Sequence, residues 1–73
     1  MNKHITIDPR ICNGKPVVSG TRIPVTVVLD QLAASGSIEN VIRKYPDLSL
    51  DQVAAVLQYC HSIIEHTELE VVK

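Results

Sequence analysis

The sequence contains no phenylalanine and no tryptophan, so any hydrophobic core must be built from smaller aliphatic side chains. It has two cysteines, Cys12 and Cys60, which are too few for a disulfide framework and lack the spacing of a metal site. No apolar run approaches the roughly 18 residues of a transmembrane helix, and no signal-peptide pattern is visible. These absences predict a soluble, cytoplasmic protein with no membrane partner.

The length and composition of the chain predict one small folded domain. The chain has 73 residues, of which 45% are hydrophobic, which is too apolar for disorder. A chain of this size buries only about 60–65% of its unfolded surface, and its core rarely contributes more than about 3–5 kcal/mol without a disulfide, metal or partner. Because the sequence shows no such aid, we expect a homodimer.

Charge is distributed unevenly along the chain. Residues 1–30 carry four basic and two acidic side chains, whereas residues 31–73 carry three basic and six acidic ones. This asymmetry is compatible with two surfaces for two different partners and equally with an ordinary solvated surface.

The N-terminal third has the pattern of a small β ribbon. Residues 4–7 alternate polar and apolar side chains, and residues 17–18 form a second short β-branched segment. Asp8-Pro9 and Asn13-Gly14 are turn signals, and Asn-Gly supplies the positive φ angles of tight hairpins. Residues 22–23 are a candidate third strand. The pattern predicts two or three short strands.

Residues 14–25, GKPVVSGTRIPV, contain ingredients of a phosphate loop in the wrong order. A phosphate loop needs its lysine after the glycines at the start of a helix, whereas Lys15 precedes the second glycine and two prolines remove donors. The stretch is better interpreted as a corner of the fold, with structural turn residues Gly14, Gly20 and Pro24. Gly20 turns the backbone, and Pro24 suits the first position of a helix.

Three helical segments follow this corner. Apolar residues at helical spacing predict a first helix from Val25 that ends at Gly36. Ser37 is a good N-cap for a short second helix, which must end at Tyr45 because Pro46 disfavours helical geometry there.

The third helix has the clearest start signal. Ser49 and Gln52 have the spacing of a capping box, and Leu48 and Val53 occupy the positions of a hydrophobic staple. The apolar spacing predicts that this helix extends to about residues 65–69.

These elements predict a mainly α fold: a β ribbon in residues 1–24, and three helices in helix-turn-helix order in residues 25–66. Residues 1–66 form the single predicted domain, and residues 67–73 form a C-terminal tail. The apolar side of the third helix is longer than two helices can cover, which indicates an interface. The candidate dimer or partner interface consists of Val56, Cys60, Ile63, Ile64 and Leu69.

Several stretches resemble a family of very short bacterial proteins that is defined by a domain of unknown function and regarded as antitoxins of type II toxin–antitoxin pairs. The resemblance covers about residues 5–61. It rests on IDPRICNGKPVVSGTRIPV (residues 7–25), Ser37, Tyr45-Pro46, Leu48-Ser49, Val53 and Ala55. It implies a homeodomain-like helix-turn-helix fold, a dimer, and a neighbouring gene for a PIN-like ribonuclease toxin. Asn40 departs from the family, which more often has a glutamate there.

Two functional hypotheses from different classes remain open. The first is an antitoxin that binds its own operator DNA and masks the toxin; the second is an interaction module that has the helix-turn-helix shape without binding DNA. Candidate phosphate contacts are Lys15, Arg22, Arg43 and Lys44, although the first two could equally pair with an acidic patch on a second copy. Candidate base-reading residues are Gln52, Gln58 and Tyr59. The acidic tail from Glu65 to Lys73 is the expected toxin-facing segment.

The sequence shows no catalytic constellation. His61 and Glu65 are separated by four residues and His66 is nearby, but such groups at a helix end are more often solvated surface than metal ligands. Cys12 has no histidine near it in sequence to act as a base. We therefore expect no enzyme, no metal, no cofactor and no small-molecule substrate.

Overall fold

In the computed structural model, which describes residues 2–66, a two-stranded ribbon precedes three helices. The strands are β1 (Ile5–Thr6) and β2 (Val17–Val18). The helices are α1 (Val25–Ser35), α2 (Ile38–Lys44) and α3 (Leu50–Glu65). The predicted mainly α fold with an N-terminal β ribbon is confirmed. The predicted tail 67–73, including Leu69, lies outside the described residues.

The ribbon has two strands and not three. β1 and β2 are antiparallel, with Ile5 opposite Val18 and Thr6 opposite Val17. The segment that follows the Gly20 turn pairs with β2 through two contacts. These are an isolated bridge between Val17 and Pro24 and a 3.0 Å hydrogen bond from the Val18 amide to the Ile23 carbonyl. Proline has no amide hydrogen, and α1 starts at the next residue, so pairing cannot continue into a third strand.

The corner predicted within residues 14–25 is a tight turn at Gly20. The Thr21 amide donates to the Val18 carbonyl at 3.0 Å, and Gly20 has a φ of 80°. A positive φ at the third residue is the mark of a type II turn. The Thr21 hydroxyl strengthens the turn, because it donates to the Val18 carbonyl at 2.7 Å and accepts from the Ile23 amide at 3.0 Å.

The Asn13-Gly14 signal produces a different turn from a two-residue hairpin. Cys12, Asn13 and Gly14 all have positive φ, at 50°, 58° and 81°. They form a left-handed turn in which the Gly14 amide donates to the Ile11 carbonyl and the Lys15 amide to the Cys12 carbonyl. Glycine and asparagine tolerate this conformation better than cysteine does.

The helix ends follow local signals, with one correction. Pro24 is the N-cap of α1 and not its first helical residue, because its ψ of 147° is extended. α1 ends at Gly36, which has a φ of 76° and whose amide donates to Leu32 at 2.8 Å. The Ser37 hydroxyl accepts from the Asn40 amide at 3.1 Å and caps α2, which ends at Lys44, before Pro46.

The core lies where the ribbon meets the three helices. Its central members are aliphatic, as the lack of phenylalanine and tryptophan requires, and they come from both strands, all three helices and the α2–α3 turn. They are Ile5, Val18, Val25, Val28, Val41, Leu48, Val53 and Val56. Leu48 and Val53, the staple pair, are 2% and 0% exposed. The staple therefore packs as predicted at the start of α3.

Candidate functional site

The start of α3 is held by reciprocal hydrogen bonds between Ser49 and Gln52. The Gln52 amide donates to the Ser49 hydroxyl at 3.2 Å, and the Ser49 amide donates to the Gln52 side-chain oxygen at 2.8 Å. This is the predicted capping box. Reading an adenine edge requires both the oxygen and the nitrogen of a glutamine amide. Because its oxygen is used by the cap, Gln52 is a poor base-reading residue in this conformation.

The other two base-reading candidates differ in exposure. Gln58 is exposed, whereas Tyr59 is half-buried and packs against the core. The exposed residues at the start of the helix are Leu50, which is 60% exposed, and Asp51. The surface that α3 offers to a groove is therefore mostly apolar and acidic around the exposed amide of Gln58.

Lys15 and Arg22 are brought near each other by Cys12. The Lys15 amide donates to the Cys12 carbonyl at 3.1 Å, and the Cys12 thiol lies 3.8 Å from the Arg22 carbonyl. Both cationic side chains are exposed. The tight turns on either side of β2 thus present two basic residues from separate segments at the N-terminal end of α1.

Arg43 and Lys44 form a second pair at the C-terminal end of α2, where cations interact favourably with the helix dipole. Arg43 donates to the Asn40 side-chain oxygen at 3.2 Å. Lys44 donates to the Gln31 side-chain oxygen at 3.1 Å, and its ammonium lies 5.9 Å from the centroid of the Tyr45 ring. Within residues 2–66, none of the four candidate cations forms an ion pair with a carboxylate. Their charge remains available to an anionic partner.

The two cationic pairs lie at different positions along α1. Lys15 and Arg22 belong to the corner that leads into Pro24. Lys44 contacts Gln31, which is seven residues after Pro24. With a rise of 1.5 Å per residue, Pro24 and Gln31 are about 10 Å apart along the helix axis.

The candidate interface residues divide into core and surface. Val56 is 0% exposed and lies in the core, so it has no surface to offer a second chain and is removed from the interface. Cys60 is half-buried and packs against the core. Ile63 and Ile64 are 48% and 65% exposed, as an interface requires. Leu69 lies outside the described residues.

The sequence did not identify two residues of α3 that the structure places on the surface. Leu50 and Leu57 belong to the apolar pattern of the helix, yet they are 60% and 40% exposed. Their separation of seven residues, repeated at Ile64, is a signal that could have identified a second apolar line on this helix.

The remaining ionic contacts are on the surface. Arg10 forms an ion pair with Asp8 at 2.9 Å, and His61 lies 3.4 Å from Glu65. The guanidinium of Arg10, followed by its backbone amide, lowers the pKa of Asp8 below the ordinary 3.8. Among residues 2–66, no three His, Cys, Asp or Glu side chains gather as a metal site would require. None of the helices in the same part of the chain has the length and apolarity needed to span a membrane.

Comparison with known proteins gives a family without an assigned activity. The chain is 34% identical over 58 residues to the uncharacterized protein y4eO of Sinorhizobium fredii (strain NBRC 101917 / NGR234). The match covers 80% of this chain but 26% of the relative, so the chain spans about a quarter of that protein's length. No solved structure matches the chain. The family model described as protein of unknown function (DUF433) matches residues 5–60, and the chain belongs to that family.

Proposed function

We propose that this protein is the antitoxin of a type II toxin–antitoxin pair, a dimer that binds its own promoter and masks a PIN-like ribonuclease. The observation that carries the DNA-binding part is that the exposed cations Lys15, Arg22, Arg43 and Lys44 lie in two pairs and have no carboxylate partner within residues 2–66. Arg43 and Lys44 lie at the end of α2, and Lys15 and Arg22 lie in the turns that flank β2, before three helices in helix-turn-helix order. The antitoxin role itself follows from the resemblance of residues 7–25 and the helix caps to that group of proteins.

DNA contact rests mainly on the phosphate backbone. A dimer doubles Lys15, Arg22, Arg43 and Lys44, and each phosphate contact adds about 0.9 to the slope of log affinity against log salt. Gln58 is the best placed side chain to contact a base, since Gln52 holds the cap and Tyr59 packs on the core. We therefore expect binding that weakens steeply with salt and discriminates little between sequences.

Toxin masking is assigned to the acidic C-terminal segment. Residues 65–73 contain three glutamates and one lysine together with Leu69, Val71 and Val72. A ribonuclease presents a basic groove to RNA, and an acidic apolar segment is suited to cover such a groove.

The second candidate function is a protein-interaction module that does not bind DNA. It is favoured by the start of α3, where Gln52 is engaged in the cap while Leu50 and Asp51 are exposed. An apolar and acidic helix face is better suited to a protein than to phosphate.

A gel-shift series on the protein's own promoter, combined with co-purification of the product of the adjacent gene, separates these functions. The double variant Arg22→Ala/Arg43→Ala should lose DNA and keep the toxin, whereas deletion of residues 66–73 should do the reverse. Lys3→Ala, which removes another exposed cation, is the matched control and should shift DNA like the parent. No shift by the parent at low salt would reject DNA binding and leave the interaction module.

A further inference from the structure

Exposed apolar side chains are concentrated on α3. Among residues 2–66, five large hydrophobic side chains are at least 40% exposed, and four of them belong to this helix. They are Leu50 at 60%, Leu57 at 40%, Ile63 at 48% and Ile64 at 65%. A helix that served only to complete the core would not carry such a surface, and clustered exposure of this kind marks an interaction site.

Leu50, Leu57 and Ile64 form one line along the helix. They are separated by intervals of seven residues, which corresponds to two turns, and they span about 21 Å at a rise of 1.5 Å per residue. Half-buried Ala54 and Cys60 and exposed His61 flank the line. We call Leu50, Leu57 and Ile64 the α3 seam. An apolar seven-residue repeat matches the seam of two packed helices.

We propose that a second copy of this chain covers the α3 seam, with the two α3 helices antiparallel and the two Leu57 side chains at the two-fold axis. This specifies the surface and orientation of the dimer that the proposed function includes. It does not depend on whether that dimer binds DNA or a toxin.

The choice of a second copy follows from the stability of the chain. The fully buried side chains of the core are all valines, and the two cysteines are free. A core of this kind contributes only a few kcal/mol, so the seam needs a cover that is always present. A toxin is present only in its complex, whereas a second copy is present whenever the chain is. The seam is also self-complementary, because a two-fold axis at Leu57 places Leu50 of each copy against Ile64 of the other.

The antiparallel orientation follows from the shape of α3. Its first half is packed into the core through Val53 and Val56, whereas residues 61–66 are all exposed. The last turns thus extend past the bundle. In an antiparallel pair these turns lie beside the bundled half of the other copy, which covers Ile64. A parallel pair would place the two extensions beside each other and leave them outside both bundles.

This pairing restricts how a dimer can contact DNA. Packed helices are 8–10 Å apart, whereas two successive major grooves on one face of DNA are about 34 Å apart. The paired α3 helices therefore cannot enter adjacent major grooves together. Contact with the DNA phosphates is therefore assigned to the cations Lys15, Arg22, Arg43 and Lys44, which lie outside α3.

The first test is the molar mass of seam variants by sedimentation velocity, with circular dichroism as the check on folding. The parent should be a dimer of the 8.0 kDa chain. Ile64→Asp and Leu57→Asp should each raise the dimer dissociation constant by more than about tenfold. Ile64 is the more exposed site, so its variant is the one expected to fold normally. Gln58→Asp places the same charge beside the seam and should remain dimeric. A monomeric parent, or dimeric Ile64→Asp protein, would overturn the proposal.

The second test uses oxidative crosslinking in a Cys12→Ser/Cys60→Ala background. Leu57→Cys should form a covalent dimer, because equivalent residues meet at the axis. Leu50→Cys alone should not, since the two copies of residue 50 would be about 21 Å apart. The double variant Leu50→Cys/Ile64→Cys should crosslink. Crosslinking by Leu50→Cys alone would indicate parallel helices, and failure of Leu57→Cys to crosslink would reject the axis. Absence of a promoter shift by the parent, together with the expected crosslinks, would reject the proposed promoter binding alone.

Discussion

The side-chain amide of Asn2 donates a 2.8 Å hydrogen bond to the carbonyl of Ala55, joining the start of the chain to the middle of α3. A carbonyl has two lone pairs, so Ala55 can accept this bond in addition to its helical one. The contact places the N-terminal segment over α3, and Ala55 is 4% exposed.

We expect Asn2→Ala to lower the free energy of unfolding by about 1 kcal/mol, because the variant loses one part-buried hydrogen bond. Urea denaturation at a fixed protein concentration measures the change, since the midpoint of a dimer depends on concentration. Lys3→Ala, at the neighbouring exposed position, is the control and should unfold like the parent. Equal midpoints for Asn2→Ala and the control would show that the bond contributes nothing.

We expect Gly20→Val to destabilise the fold by more than about 1 kcal/mol. The φ of 80° is costly for a β-branched residue, whereas the space around a new Cβ is open, so the cost arises in the backbone alone. Gly20→Asn is the matched variant and should lose less, because asparagine tolerates this conformation. Thermal melts of the three proteins test the ranking, and a Gly20→Val protein that melts with the parent contradicts the turn described here.

We expect Ser49→Ala to destabilise the protein by about 1 kcal/mol through loss of the α3 cap. Gln52→Ala removes the reciprocal half of the same box and should also destabilise.

If Gln52 acts in the cap, the Gln52→Ala variant leaves the base preference of any DNA complex unchanged, whereas Gln58→Ala alters that preference. Denaturation combined with competition gel shifts measures both effects. A changed base preference in Gln52→Ala, without a change in stability, would return Gln52 to the DNA interface.

We expect Arg10→Gln to raise the pKa of Asp8 toward 3.8, because the guanidinium is the largest cause of its lowering. A carboxyl with a lowered folded pKa stabilises the protein above its unfolded pKa, and this contribution is lost as the pH falls through the folded pKa. Parent and variant should therefore differ in stability near neutral pH and converge in strong acid. NMR titration of the Asp8 carboxyl carbon gives the pKa directly. An Asp8 pKa that does not change in Arg10→Gln would contradict the ion pair.

Much of the candidate site could be predicted from sequence because its cations lie next to strong turn signals. Lys15 and Arg22 flank β2 beside turn residues, and turn residues are exposed. What could not be predicted is which distant segments meet. The contact of Cys12 with Arg22 links positions ten residues apart, and that of Lys44 with Gln31 links positions thirteen residues apart.

The sequence by itself determined the end of α1, both ends of α2 and the start of α3. Gly36, Ser37, Pro46 and the Ser49–Gln52 box each act on backbone groups within about four residues, so their effect does not depend on the rest of the fold. For the same reason the turn at Gly20 could be predicted from a short stretch.

Only the tertiary structure decided which apolar residues of α3 are buried. Val56 and Leu57 are adjacent and equally apolar, yet they are 0% and 40% exposed. This difference in exposure depends on where the ribbon and the other two helices pack against α3. That packing is set by contacts between segments that are distant in sequence. Periodicity identifies an apolar helix face, but the position and width of the buried part are set by the elements that cover it.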